Sequence, residues 1–137
     1  MPEEYIENIW FCVDVSGSVS DESLNMVYSE IGHAIQQVGQ LKGMISFFDT
    51  HVTKPLPFHS LEELQRIGAV GGGGTSFHSI FRYLKEEMEE KPKAIIILTD
   101  GYADIPEEEE AEGVPVLWVL TQPEMLIPWG MSVYIAM

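Results

Sequence analysis

Apolar residues along this chain recur with two periods, and the period assigns each segment. Runs rich in β-branched and aromatic residues predict strands near residues 8–14, 43–49, 51–57, 94–99, 115–120 and 131–136. Ala94-Ile95-Ile96-Ile97-Leu98 and the stretch 114–120 have no polar alternation. That is the pattern of parallel strands covered by helices on both sides. Between the first two strands, Leu24, Val27, Tyr28, Ile31, Ile35 and Val38 fall on one helical face. Ser20 is placed to cap that helix, Asp21 and Glu22 suit the positive end of its dipole, and Gly39 ends it. Ser60-Leu61-Glu62-Glu63 has the spacing of a capping box and opens a short helix to about residue 67. Phe77, Ile80, Phe81, Leu84 and Met88 form a third helical stripe, which Lys91-Pro92 stops. A further short helix is expected within 104–112, with Pro106 in its first turn.

Strands alternating with helices in this order define the α/β class. The expected architecture is Rossmann-like: a central, mostly parallel six-stranded sheet with one antiparallel edge strand and helices on both faces. The 137 residues, 45% of them hydrophobic, are sized for one domain spanning 1–137. In such sheets ligands bind at the carboxyl ends of the strands, where the strand order reverses.

Hard oxygen atoms gather at those ends. Asp14, Ser16 and Ser18 follow the apolar run Trp10-Phe11-Cys12-Val13, Thr75 follows Gly71-Gly72-Gly73-Gly74, and Asp100 follows the strand at 94–99. If the strands ending at Asp14 and Asp100 are neighbours, two carboxylates at about 5 Å repel by about 3 kcal/mol at an effective dielectric near 20. A divalent cation between them removes the conflict. Two carboxylates, three hydroxyls and water suit the six-oxygen shell of Mg²⁺, Mn²⁺ fits almost as well, and Ca²⁺ prefers more carboxylates. The plainer alternative for the glycine loop is a flexible connector whose Thr75 or Ser76 caps the next helix.

Composition narrows the function classes. The net charge of -15, from 22 acidic and 7 basic residues, argues against general affinity for nucleic acid or anionic membrane. The glutamate runs at 86–90 and 107–110 read as solvated faces and helix ends. The single Cys12 forms no internal disulfide and reads as a small buried hydrophobe. His33, His51, His59 and His78 have no HExxH or paired-cysteine spacing, so a zinc site has no support. No apolar stretch reaches membrane-spanning length and the N-terminus lacks a basic flank, so a cytoplasmic protein is expected.

Asp14-Val15-Ser16-Gly17-Ser18, Gly74-Thr75 and Leu98-Thr99-Asp100-Gly101 resemble the metal-ion-dependent adhesion site (MIDAS) of von Willebrand factor A (VWA) domains and integrin inserted domains. The resemblance covers nearly the whole chain and implies a VWA fold. The stretches at 71–77 and 99–104 and the closing Pro128-Trp129-Gly130 look like the bacterial VWA-like domain found at the C-terminus of predicted metallopeptidase-like proteins. Nothing of the peptidase-like half is present, which suggests a fragment or a stand-alone relative. By resemblance, Asp14, Ser16, Ser18, Thr75 and Asp100 are the metal ligands, and the sixth position is left to water or to a partner's carboxylate.

The expected function is a protein-binding module in which Mg²⁺ bridges to an acidic residue of a partner. The domain's own charge favours a partner surface that is neutral or basic around that residue, within a screening length of about 8 Å. The resemblance suggests an AAA+ ATPase or the peptidase-like domain as that partner. Tyr102, Phe77 and His78 are candidates for the rim, with Phe77 assigned to the core by its place in the helical stripe. The competing expectation is a Mg²⁺-dependent hydrolase or phosphotransferase. Against it, Ser16 stands where a dehalogenase-like phosphatase has its second Asp, and the glycine run carries no P-loop lysine. A third reading is a structural role with a degenerate site.

Overall fold

The computed structural model describes residues 6–15, 25–26, 28–29, 33, 41–58, 62–63, 74–100, 103–121 and 125–134. Its elements are β1 (Ile6–Asp14), β2 (Leu41–Phe48), β3 (Leu56–Phe58), α1 (Phe77–Glu86), β4 (Ala94–Thr99), a 3-10 turn (Glu108–Ala111), β5 (Val116–Leu120) and β6 (Met131–Tyr134). The six strands form one sheet in the order β3-β2-β1-β4-β5-β6. Every pairing is parallel except β2 with β3, which is antiparallel and lies at the edge. The expected sheet is therefore the observed one.

Alternate residues of the strands feed two apolar layers, as the period of two requires. Ile9, Phe11 and Val13 of β1 join Ile45, Phe47, Phe58, Leu98 and Val119 on one face, together with the helical Tyr28. Trp10 and Cys12 point the other way, into a layer with Ile95, Ile97, Trp118 and the α1 residues Phe77, Ile80, Phe81 and Leu84. Helical residues thus cover both faces. Of the first expected helix, Asn25, Met26, Tyr28, Ser29 and His33 are described and helical; of the second, Glu62 and Glu63 are. The remaining positions of both lie outside the described residues.

Three expectations are corrected in detail. The strand expected near 51–57 shrinks to the three residues of β3. Pro55 and Pro57 donate no ladder bonds, which confines this segment to the edge. Before β3, a single bridge joins Phe48 to Val52, and Thr53 bonds Phe47 twice, through its amide (2.9 Å) and its hydroxyl (2.9 Å). The third helix ends at Glu86, five residues before Lys91, where Lys91-Pro92 was expected to stop it. Instead the Lys91 ammonium reaches back and donates to the Leu84 carbonyl at 2.6 Å, satisfying an orphan acceptor of the last turn. The segment at 104–112 holds only the 3-10 turn, closed by a Glu107/Glu110 capping box and ended by Glu112 at φ 53°. Pro106 precedes that turn, and its carbonyl accepts the Trp129 indole N–H at 2.7 Å.

Candidate metal centre

Connections from β1 lead to β2 on one side of the sheet, and β4 flanks β1 on the other, so the strand order reverses at β1 and β4. Residue register then decides what meets there. Val13 pairs with Leu98, which brings Asp14 level with Thr99 and one residue short of Asp100. On the other side Asp14 pairs with Phe48, and the Val15 amide donates to the Phe48 carbonyl at 3.0 Å. Asp14 and Asp100 thus leave adjacent parallel strands at the same end of the sheet.

Asp14 is only 1% exposed. A carboxylate so buried is costly unless its oxygens are engaged. Thr99, 3% exposed, donates its hydroxyl to Asp14 Oδ2 at 2.7 Å, a well-formed hydrogen bond. Thr99 therefore orients the carboxylate from the neighbouring strand. In the sequence Thr99 stands inside Leu98-Thr99-Asp100-Gly101 with no expected role of its own. Its signal was available: a polar residue closing an otherwise apolar strand, level with Asp14 in any register that aligns the two aspartates.

Thr75 reaches this end of the sheet through the loop before α1. The next residue, Ser76, donates its amide to the Asp49 carbonyl at 2.7 Å, just past the tip of β2. Ser76 occupies the N-cap position of α1 but makes no side-chain capping bond. Capping by that hydroxyl, the plainer alternative for the loop, is therefore absent at Ser76. A Cβ at Gly74 would meet only Thr50 Cγ2, at an ordinary 3.7 Å. Gly71, Gly72 and Gly73, the expected ligands Ser16 and Ser18, and the neighbouring Gly101 and Tyr102 lie outside the described residues.

The chemistry of the described set suits a hard divalent cation: two carboxylates and a hydroxyl, delivered by three separate connections to one end of the sheet. Among the described residues no group of three or more His, Cys, Asp or Glu forms a metal cluster. Of the rim candidates, Phe77 is fully buried, with its ring centroid 5.8 Å from Phe48 and 5.2 Å from Trp118. His78 is exposed and faces Glu110 across a cleft between α1 and the 3-10 turn, with Nδ1 3.6 Å from Oε1. Arg82 and Lys85 line that same cleft. They stand five to eight residues into α1, about 8–12 Å along its axis from its start beside Thr75.

Comparison with known proteins agrees with this fold. The family model described as VWA-like domain (DUF2201) matches residues 9–136. An uncharacterized protein of Thermotoga maritima is 27% identical over 103 residues, which is 75% of this chain and 25% of that protein. The chain thus spans about a quarter of the length of this curated relative. Among solved structures, proximal thread matrix protein 1 from the mussel byssus, with a zinc-occupied MIDAS motif, is similar at TM-score 0.64 and 18% identity, over 83% of this chain and 35% of its own. The ArnB paralog VWA2 from Sulfolobus acidocaldarius is similar at TM-score 0.61 and 18% identity, over 83% and 34% of the two chains. An aerotolerance-related membrane protein from Bacteroides fragilis is similar at TM-score 0.61 and 16% identity, over 84% and 67%. At these identities the likeness is one of fold.

The last of these corrects the cytoplasmic expectation. A domain of this fold in a membrane protein means that the acidic composition and the lack of an apolar span do not assign a compartment, since an anchor can lie in other segments of a polypeptide. No helix among the described residues is long and apolar enough to cross a membrane, and that statement concerns those helices alone.

Proposed function

The chain belongs to the VWA-like domain family (DUF2201), and from that premise we propose that it is a divalent-metal-dependent protein-binding module. Asp14, Ser16, Ser18, Thr75 and Asp100 would hold Mg²⁺, or Mn²⁺ in its place, leaving a coordination position for a carboxylate of a partner protein. The observation that carries this reading is the buried Asp14, gripped by Thr99 and level with the strand end that bears Asp100. Two anionic groups at a strand-order reversal are an arrangement that a bound cation stabilises. The zinc-occupied MIDAS motif of the mussel protein supports the metal-binding part of this reading.

Binding is favoured over catalysis by where the cations of α1 lie. Arg82 and Lys85, the basic residues of α1, sit with Glu86, Glu109, Glu110 and Glu112 in the separate cleft, away from the strand tips. Stabilising charge in a transition state requires donors aimed at the reacting group. The partner would present one acidic residue on a neutral or basic surface, because a domain of charge -15 repels a broadly acidic one. The Thermotoga maritima protein extends well beyond the matched region. A metallopeptidase-like domain in the same polypeptide, or a separate AAA+ ATPase, is the partner proposed.

Thermal melts of chelator-treated protein with added Mg²⁺ or Mn²⁺ test the site. A cation bound only by the native state raises stability by about 2.7 kcal/mol at a hundred times its dissociation constant. The expected result is a higher melting temperature for wild type and none for Asp14→Ala. An unchanged wild type at millimolar metal rejects the metal reading. With Mn²⁺ as probe, acetate should lower the water-proton relaxation enhancement by taking the open position. Turnover of a general phosphatase or esterase substrate that requires Asp14 would favour the enzyme instead.

A further inference from the structure

Asp49 lies one residue beyond the tip of β2, as Asp100 lies one beyond β4, while Asp14 is the last residue of β1. Its bonds close a tight turn. The Asp49 amide donates to the His51 carbonyl at 3.0 Å, and the His51 amide donates back to Asp49 Oδ1 at 2.9 Å. The turn is tied down on its far side by the bridge from Phe48 to Val52 and by the two bonds between Thr53 and Phe47. What it presents outward is the Asp49 carbonyl, which accepts the Ser76 amide at 2.7 Å. Thr50 Cγ2 borders Gly74, and the Phe48 ring packs on Phe77. The loop that bears Thr75 is thus held just after that residue by one short segment of β2 and its turn.

Such a clamp meets a specific need. Thr75 directly follows Gly74, and a glycine does not by itself restrict the backbone that delivers the hydroxyl. The N-cap hydroxyl of Ser76 does not fix the helix start either. Mg²⁺ tolerates little departure from octahedral placement of its ligands, so the hydroxyl must be delivered by something rigid. We infer that the Asp49 turn is the positioning element for Thr75. Its carboxylate shapes the turn, and the carbonyl so aimed sets the loop. Asp49 is a positioning residue here and not a metal ligand. The inference rests on the proposed metal reading for its purpose, and on the hydrogen bonds alone for its mechanics.

Asp49→Ala and Asp49→Asn separate the possibilities. Asparagine keeps an Oδ1 acceptor for the His51 amide and loses the charge; alanine loses both. Two readouts are taken on each variant after its melt shows it folded: amide hydrogen exchange at Ser76 in metal-free protein, and Mg²⁺ affinity by competition with Mn²⁺. The expected result for Asp49→Ala is at least tenfold faster exchange at Ser76 and about tenfold weaker Mg²⁺ binding, the usual scale for groups that orient ligands. Asp49→Asn should retain both properties to within about threefold. Ser76 exchange unchanged in Asp49→Ala overturns the inference. So does an asparagine variant as weak for Mg²⁺ as the alanine one, because charge would then matter and not the turn. A wild type that binds no Mg²⁺ removes the proposed function, while the exchange at Ser76 still decides whether Asp49 holds this loop.

Discussion

Replacing Thr99 by valine removes one hydroxyl and little else. Valine keeps the branched shape and suits a strand, so neither packing nor β-propensity changes much. The lost hydroxyl is the donor to Asp14 Oδ2 at 2.7 Å, between residues 3% and 1% exposed that are 85 positions apart. A hydrogen bond to a charged group contributes about 1.5–3 kcal/mol, and burial puts this one toward the upper part of that range. For a domain of this size each kcal/mol moves the midpoint by about 3–5 °C, so Thr99→Val should melt about 6–15 °C below wild type. Calorimetry and urea denaturation of metal-free protein measure it. A double-mutant cycle with Asp14→Asn should return a coupling of at least about 1 kcal/mol, since the two residues are in direct contact. A Thr99→Val protein within about 0.5 kcal/mol of wild type, or strict additivity in the cycle, refutes the role given to this bond.

Gly43 lies under the edge strand, where an added Cβ would come within 2.7 Å of Phe58 Cζ and 3.3 Å of Phe11 Cε2. Gly43→Ala should therefore cost about 1–3 kcal/mol through overpacking, read as a lower urea midpoint with an unchanged slope. Cys12 is fully buried, and burial pushes its thiol well above the ordinary value. Native protein should resist thiol reagents until it unfolds, and prompt labelling at neutral pH would contradict that burial. Burial also pushes the Tyr28 phenol up to about 12 from 10.0. The neutral phenol is thus favoured by folding: its contribution is complete below pH 10 and is lost as pH rises toward about 12. Urea midpoints on either side of that window should fall further for wild type than for Tyr28→Phe.

Much of the fold was legible because it is written locally. Ala94-Ile95-Ile96-Ile97-Leu98 can satisfy its backbone and its side chains together only as a strand covered on both faces, and it is β4 at the centre of the sheet. The stripe of Phe77, Ile80, Phe81 and Leu84 is α1, with all four residues buried. Failures came where a distant residue competes with local preference. Pro106 looks like a helix start by its own φ, yet its carbonyl is taken by Trp129, 23 residues away. The strand expected at 51–57 was cut to its last residues and Phe58 because a turn at 49–51, invisible to periodicity, uses up the backbone before it.

The chain alone determined the α/β alternation, and it placed oxygen-bearing side chains at Asp14, Thr75 and Asp100 where strands and loops end. Those follow from periodicity, which reports what each segment must bury. Only the tertiary structure decided which strand tips are neighbours, that Thr99 serves Asp14, and that the turn at Asp49 holds the loop of Thr75. These depend on register between segments far apart in the chain. A shift of one residue in that register would carry every side chain to the opposite face.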